Sequence, residues 1–303
     1  MNESSISSST TSTTPAAENL FVRLRRFIVT RIFLVAFTIL PTKHNIRFKE
    51  LIEYFTAKPG WKNWIEDMKK ASTVEETDEY YIYNQEELLT PIYYPKSLPL
   101  DLMYVIAAEQ FNDNSFHRFQ TPEVPALDIK PSDIVVDAGC AEGIFPAIYY
   151  KSCKKIYAFE PLPDFVKSLH LTFAGVDNVE IVPKALGSKK AKSYIDGTGA
   201  GAFLTEKNTG TSIDISTIDS EFYEKGIQVD FIKADVEGFE IELLEGAKKT
   251  IQEHSPKIAF TTYHFPGDDA KFRTFLKNCN PKYKFYSKGV TESGGTVMLY
   301  AWV

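Results

Sequence analysis

Short apolar runs alternate with longer amphipathic stretches along the second half of the chain. The runs are apolar at nearly every position, as in strands buried on both faces, and the stretches repeat apolar residues at helical spacing. The pattern predicts strands at 133–137, 155–159, 179–183, 229–234 and 257–262, with helices near 143–152, 163–173, 238–252 and 268–278. This alternation predicts an α/β fold with a mostly parallel sheet that helices cover on both faces.

Two segments depart from the alternation. Between residues 188 and 218, the runs at 193–196 and 211–216 predict inserted antiparallel strands. The glycine cluster at 197–201 is interpreted as their hairpin turn, with contact to a phosphate as the alternative. At the end of the chain, β-rich runs at 283–286 and 296–302 predict a terminal antiparallel hairpin.

The first 120 residues have a different composition. Residues 1–17 are almost all small or polar, which predicts a disordered tail, and 18–120 are interpreted as a helical cap with a Tyr-rich connecting segment. Its prolines predict that the stretch 72–99 is a connecting hairpin or loop packed on the main domain. The alternative for residues 72–99 is a wall or lid over an acceptor site. Residues 121–303 are interpreted as the main domain.

Residues 19–40 are apolar and basic. Arg31 interrupts the apolar run, and the part that follows is far shorter than the roughly 18–20 residues that cross a bilayer. No small-residue cleavage site of a secretory signal follows it. We expect a helix packed on the main domain, with peripheral attachment to a membrane surface as the alternative.

Composition and charge limit the partners and the cellular compartment that the sequence predicts. A net charge of −6 argues against nucleic acid as the partner, and 44% hydrophobic residues suffice for a packed core. The three cysteines are widely spaced, which fits neither a disulfide scaffold nor a zinc site and is typical of the cytoplasm. The oligomeric state stays open.

The chain is organised around the stretch Asp137-Ala-Gly139-Cys140-Ala-Glu-Gly143. It follows an apolar run and precedes a helical pattern, so it predicts a tight turn where a ligand approaches the backbone near a helix start. About 20 residues further on, Glu160 ends the next predicted strand, at the distance where a carboxylate reaches ribose hydroxyls. The turn predicts a nucleotide-type cofactor.

The spacing of the glycines bears on which cofactor this is. The turn lacks the G-x-G-x-x-G of dinucleotide sites, and Glu142 would place negative charge beside a phosphate. The chain also lacks the G-x-x-x-x-G-K-[ST] of a P-loop. A sulfonium cofactor carries positive charge and no phosphate, so it tolerates these carboxylates.

Several of these segments together resemble the FkbM-type S-adenosylmethionine-dependent methyltransferases. The resemblance spans about residues 128–303, and its most specific part is Ile232-Lys-Ala-Asp235-Val-Glu237-Gly. It implies a class I methyltransferase sheet, Rossmann-like and mostly parallel, with an antiparallel seventh strand. It also implies that S-adenosylmethionine is the cofactor and that the acceptor atom is mostly oxygen.

The resemblance also assigns residues to the cofactor. It implies that Asp137, Gly139 and Gly143 contact the methionine end and that Glu160 binds the ribose. The segment Lys184-Ala185-Leu186 is expected to border the adenine, and Cys140 is interpreted as a small turn residue rather than a nucleophile.

Three residues at strand ends are candidates for the chemistry on the acceptor. Asp235, Glu237 and His264 follow the predicted strands 229–234 and 257–262. His264 has the intrinsic pKa best suited to a general base, with a structural hydrogen bond as the alternative. The two carboxylates are expected to shape the pocket for the acceptor and for the methionine end of the cofactor, which makes Asp235 a cofactor-binding residue as well. A divalent ion between them is a less favoured alternative because further ligands are not evident.

Together these features predict an O-methyltransferase that acts on a hydroxyl of a sugar, glycan or secondary metabolite. The alternatives are an NAD-type oxidoreductase on the same sheet and a non-catalytic adaptor that uses the cofactor fold. The missing dinucleotide motif counts against the first, and the acids and glycines at the turn count against the second.

Overall fold

The computed structural model describes residues 61–111, 118–121, 124–196, 203–205, 210, 212–289 and 296–303. The chain divides into two units, 1–41 and 42–303, and every described residue belongs to the second. The predicted tail at 1–17, the predicted helix at 19–40 and the glycine cluster at 197–201 lie outside the described residues. Within the described part, no helix combines the length and apolar character needed to cross a membrane.

A seven-stranded sheet forms the centre of the fold. In chain order its strands are β4 (Ile134–Ala138), β5 (Lys155–Phe159), β6 (Val179–Val182), β11 (Phe231–Ala234), β12 (Lys257–Thr261), β13 (Lys284–Lys288) and β14 (Met298–Trp302). The spatial order is β13-β14-β12-β11-β4-β5-β6. Strand β14 runs antiparallel to both neighbours, and the pairs from β12 to β6 are parallel. This is the class I methyltransferase order, so the predicted fold class and terminal hairpin are confirmed.

Helices follow the parallel strands as predicted, but two of the predicted helices are shorter. The helices are α3 (Ile144–Tyr149), α4 (Pro163–Thr172), α5 (Ile218–Glu221), α6 (Glu240–Glu245), α7 (Lys248–His254) and α8 (Asp268–Cys279). A 3-10 turn at 150–152 replaces the end of the predicted helix 143–152. The helix predicted at 238–252 is divided at Gly246, where an added Cβ would lie 1.9 Å from the carbonyl oxygen of Gly187.

The inserted segment forms a second sheet. Its strands are β7 (Ala185–Leu186), β8 (Ala191–Asp196), β9 (Phe203–Thr205) and β10 (Ser212–Ser216), in the order β7-β10-β8-β9. The predicted antiparallel pair is present as β8 and β10. Strand β7 pairs with β10 in parallel, which brings the segment after β6 against the insertion.

The Tyr-rich segment is an ordered antiparallel sheet rather than an irregular loop. Helix α1 (Trp61–Ala71) leads into β1 (Ser72–Glu76), β2 (Tyr80–Gln85) and β3 (Ile92–Pro95), which pair in sequence order. The prolines are compatible with strands because Pro91 precedes β3 and Pro95 ends this edge strand. The sheet packs on the main domain, since the Tyr93 amide donates to Thr172 Oγ1 over 2.9 Å.

Helix α2 (Leu100–Phe111) joins this sheet to the rest of the molecule. Met103, Ala107 and Ala108 on the helix are buried in the core beside Ile144 and Ala147 of α3. Other residues of α2 face a cavity at the ends of the central strands. The segment before the main domain therefore supplies part of the wall of the site.

Candidate active site

A cavity of about 410 Å³ lies where the parallel strands of the central sheet end. It is lined by segments that follow β4, β5, β11 and β12, together with the segment 184–186 and residues of α2. This is the carboxyl edge of the sheet, where open α/β folds bind ligands. Of the residues predicted for the site, the cavity wall contains Gly139, Cys140, Glu160, Lys184, Ala185, Leu186, Asp235 and Glu237.

The two glycines of the turn have positive φ angles and close neighbours. Gly139 has a φ of +70°, and an added Cβ would lie 1.9 Å from the carbonyl oxygen of Asp235. At Gly143, with a φ of +89°, the added Cβ would lie 2.7 Å from Leu169 of α4. Gly139 therefore allows the turn to approach the end of β11, and Gly143 allows α3 to begin against α4.

Asp137 lies behind the turn and is fully buried. Its Oδ1 is 2.8 Å from Nζ of Lys233, which stands opposite it in the parallel pairing of β4 and β11. Lys233 also donates a hydrogen bond to the carbonyl oxygen of Gly139. Although burial acts to lower it, the charge of Asp137 raises the pKa of Lys233. Asp137 therefore anchors the turn through Lys233 and lies behind the cavity wall, and its contact to the cofactor stays a prediction.

The sequence-based prediction gives Lys233 no role, although the sequence could have indicated a buried ion pair at this position. The strand Phe231–Ala234 is buried at all four positions, and a buried lysine requires a carboxylate partner. Parallel pairing with the strand that ends near Asp137 supplies that partner. Identifying the pair depended on the register between two strands almost 100 residues apart in sequence.

Glu160 is held by the backbone of the turn. Its Oε2 accepts a hydrogen bond from the Ala141 amide over 2.8 Å, and its Oε1 accepts one from the Leu162 amide over 2.9 Å. Burial raises the pKa of Glu160 to about 7, although these two donors act in the opposite direction. Each carboxylate oxygen retains a lone pair for a further donor in the cavity.

The segment Lys184-Ala185-Leu186 is fixed by the inserted sheet. Ala185 and Leu186 form β7, and Lys184 Nζ donates to Glu221 Oε1 over 2.7 Å. Glu221 also accepts hydrogen bonds from Lys225 and Ser216. Burial acts to raise the pKa of Glu221, but these three donors lower it to about 2.

Four polar side chains form a cluster at the ends of β11 and β12. His264 Nε2 lies 3.4 Å from Glu237 Oε2 and 3.7 Å from Asp235 Oδ1, and its Nδ1 lies 3.2 Å from Glu240 Oε1. Burial would lower the pKa of His264, but the nearby carboxylates of Glu237, Glu240 and Asp235 raise it to about 10. Asp235 and Glu237 line the cavity, and His264 stands beside them.

The cavity is rich in carboxyl groups. Its lining carboxylates are Glu109, Glu142, Glu160, Asp235 and Glu237. Burial raises the pKa of Glu142 to about 7 and, with added repulsion from Asp235, that of Glu109 to about 8. The two lysines in the wall, Lys184 and Lys233, are each paired with an acid outside it. Such a cavity favours a cationic ligand over a phosphate.

Cys140 lines the cavity as a buried residue of the turn. Burial raises the pKa of its thiol well above the ordinary value. A thiol that holds its proton is a weak nucleophile. This environment agrees with the prediction that Cys140 is a small turn residue.

Glu109 is a site residue that the sequence did not indicate. It lies on α2, whose apolar residues Leu102, Val105 and Ile106 line the same cavity. The helix has apolar side chains on both its core face and its cavity face, so it lacks the periodicity of an amphipathic helix. No motif marks Glu109, because its position depends on how α2 packs.

Comparisons with known proteins agree with this fold and site. Residues 137–283 match a family model described as the methyltransferase FkbM domain. The matched range begins at the glycine turn and contains Glu160, Asp235 and His264, whereas α2 lies outside it. A comparison with curated protein sequences gives no match.

Solved structures with similar folds include the following three. Methyltransferase FkbM from Methylobacillus flagellatus has a TM-score of 0.50 at 18% identity, with 67% of this chain and 52% of that chain covered. This chain thus spans about half the length of that protein. An rRNA methylase from Streptococcus thermophilus has a TM-score of 0.38 at 15% identity, covering 58% of this chain and 90% of that one. Precorrin-6y C5,15-methyltransferase from Geobacter metallireducens has a TM-score of 0.36 at 13% identity, covering 59% and 86%.

Proposed function

Because the chain belongs to the FkbM family of S-adenosylmethionine-dependent methyltransferases, we propose that its cavity binds S-adenosylmethionine and an acceptor hydroxyl. The acceptor is a sugar, a glycan or a secondary metabolite. The observation that carries this proposal is the acidic lining of a cavity built on the glycine turn. A sulfonium cation is stabilised there, and a dinucleotide diphosphate is repelled.

The residues present fit the cofactor. Glu160 offers carboxylate lone pairs to the ribose hydroxyls from a position fixed by two amide donors. Ala185 and Leu186 provide a surface for the adenine, and the turn residues Gly139 and Cys140 face the methionine end. When bound, S-adenosylmethionine supplies an electrophilic methyl group.

The acceptor oxygen must lose its proton as it attacks, and carboxylates are available for this step. Asp235 and Glu237 are the cluster members on the cavity wall, and burial raises the pKa of Asp235, which makes its carboxylate a better base. In the protein without other ligands, the raised pKa of His264 keeps the ring protonated at neutral pH. A protonated ring cannot accept the proton, so we assign His264 to holding the two carboxylates.

We assign choice of acceptor to helix α2, which lies outside the family match, and to aromatic side chains of the cavity wall. Helix α2 contributes apolar side chains and Glu109, and Phe119 and Tyr263 add aromatic rings. Tyr263 and Phe265 are exposed on the segment that follows β12. Aromatic faces combined with carboxylates are suited to sugar rings, which have apolar faces and polar edges.

Calorimetric titration of the full chain with S-adenosylmethionine, S-adenosylhomocysteine and NAD tests the proposal. We expect saturable binding of the first two at one site and no binding of NAD. Glu160→Gln should weaken binding of S-adenosylmethionine and of S-adenosylhomocysteine. The control Glu253→Gln, on the exposed surface of α7, should bind them like the natural protein. Saturable NAD binding without a response to S-adenosylmethionine would identify an oxidoreductase, and no binding at all would favour the adaptor.

Turnover then identifies the acceptor. Labelled S-adenosylmethionine incubated with extract of the source cell should transfer its methyl group to a product that mass spectrometry identifies. A methyl ether would support the O-methyltransferase, and a methylated nitrogen or carbon would overturn that part of the proposal.

We also propose that the protein works in the cytoplasm, with peripheral attachment to a membrane surface through residues 19–40 as the alternative to the predicted packing. The mixture of apolar and basic residues in that segment supports the attachment. Liposome sedimentation of the full chain and of a chain starting at Glu50 tests this. Equal recovery of the two in the supernatant would contradict it.

A further inference from the structure

We propose that Asp235, Glu237 and His264 bind a divalent cation at the acceptor end of the cavity. Each residue contributes one ligand atom, and these atoms all lie within 4.8 Å of one another. The site comprises one imidazole nitrogen and two carboxylate oxygens, a set suited to Mn²⁺ or Mg²⁺ and also open to Zn²⁺. Its existence does not depend on the proposed methyl transfer.

The spacing of the ligand atoms fits a shared cation better than direct hydrogen bonds. Two atoms that each bind one cation at about 2.1 Å lie roughly 3.0–3.4 Å apart, depending on the coordination geometry. His264 Nε2 is 3.4 Å from Glu237 Oε2 and 3.7 Å from Asp235 Oδ1. All three atoms lie within 4.8 Å of one another, so a shared ion requires them to move closer together.

The two ring nitrogens of His264 are buried and lack hydrogen-bond partners among the described residues. The carboxylates around the ring lie at ion-pair distance instead. A buried nitrogen aimed at two carboxylates without a hydrogen bond is an independent sign of a ligand between them.

Glu240 orients the ring as a supporting carboxylate does in metal sites. Its Oε1 lies 3.2 Å from His264 Nδ1 and accepts a hydrogen bond from the Val236 amide over 3.0 Å. Glu240 is almost completely buried, so its position is fixed. With Nδ1 on the side of Glu240, Nε2 is directed toward Asp235 and Glu237.

The charge of the cluster also favours a cation. Three carboxylates surround one imidazole, so even a protonated ring leaves an excess of negative charge. The nearest lysine in the strand, Lys233, is engaged by Asp137 and by the carbonyl oxygen of Gly139. A divalent cation would neutralise more of this charge than a single proton does.

The open side of the cation would face the cavity, because Asp235 and Glu237 are part of its wall. An acceptor hydroxyl bound there would become more acidic and would be held in a fixed direction. This role rests on the proposed function, whereas cation binding can be measured without cofactor or acceptor.

The test is titration of the chelator-treated full chain with Mn²⁺. Binding is monitored as the loss of the electron paramagnetic resonance signal of free Mn²⁺. We expect one site per chain, displaced by Mg²⁺ or Zn²⁺, and at least about tenfold weaker binding in Asp235→Asn and in Glu237→Gln. Glu142→Gln is the matched control, since it removes a carboxylate of the same cavity outside the cluster. Absence of saturable binding, or equal weakening in the control, would overturn the proposal.

A second measurement uses the natural protein and does not depend on whether the variants fold. Fe²⁺ bound in place of Mn²⁺, with ascorbate and peroxide, generates hydroxyl radicals that cut the backbone near the ion. Mass spectrometry should find cuts within 235–240 and 261–265, suppressed by excess Mn²⁺. Cuts confined to other segments would contradict the site.

Discussion

Lys233 Nζ lies 2.8 Å from Asp137 Oδ1, and both side chains are buried beneath the glycine turn. The pair joins β11 to β4 at the point where both strands reach the cavity. Because Lys233 also donates to the carbonyl oxygen of Gly139, it connects the turn to the strand that carries Asp235. The cofactor end and the acceptor end of the site therefore share one support.

Replacing Lys233 with methionine should destabilise the protein by about 3–5 kcal/mol, because Asp137 is left as an unpaired buried charge. Urea unfolding at pH 7 measures the loss. The double variant Lys233→Met with Asp137→Asn removes both charges and should lose less than the sum of the single variants. Strict additivity would show that the two side chains do not depend on each other.

Replacing Gly139 with alanine should lower the free energy of unfolding more than the same change at Gly226. Both residues have nearly the same φ, +70° and +67°, so both variants carry the backbone strain of about 1–2 kcal/mol. Only at Gly139 does the added Cβ meet a backbone oxygen, 1.9 Å away, whereas Gly226 has nothing within 4 Å. We expect about 1–3 kcal/mol of additional destabilisation at Gly139, measured by urea unfolding, and equal losses would contradict the close approach.

Glu221→Gln should destabilise the protein at pH 7 and not at pH 2. The lowered pKa means that ionised Glu221 stabilises the fold above its unfolded pKa of about 4.5, and that this contribution is lost as the pH falls toward 2. We expect about 1 kcal/mol at pH 7, since solvent screens part of the interaction with Lys184. Thermal unfolding across this pH range measures it. Lys192→Gln, which removes a surface partner of Asp214, is the control and should have little effect at any pH.

Most of the sheet could be predicted from the sequence, because strands buried on both faces appear as apolar runs. Residues at the ends of these runs, such as Glu160 and Asp235, were predicted to meet at one edge, and both line the cavity. The Tyr-rich segment was predicted as a connecting hairpin or loop, and its three-stranded sheet was not predicted because the prolines were interpreted as interruptions, although Pro91 and Pro95 lie at the ends of an edge strand.

The remaining features depend on packing between distant segments. Helix α2 has apolar residues on two faces, so its pattern does not identify it as an amphipathic helix. The roles of Lys233 and Glu109 follow from strand register and from the placement of α2. The intrinsic pKa of His264 favoured a base, but three nearby carboxylates raise that pKa. The sequence alone could not specify that environment.

The affinity for S-adenosylmethionine should increase with pH through about 7, because Glu160 must be ionised to accept both its two amide donors and the ribose hydroxyls. Burial raises the pKa of Glu160 to about 7, so below that pH the protonated form predominates and binding is weaker. Calorimetric titrations from pH 5.5 to 8.5 measure this dependence. Glu160→Gln should bind S-adenosylmethionine less tightly at pH 8, and its affinity should depend less on pH. Protonation of the ligand affects both proteins equally, so it does not contribute to the difference between them. Parallel curves for the two proteins, or affinity that falls with pH only in the natural one, would remove Glu160 from the cofactor site.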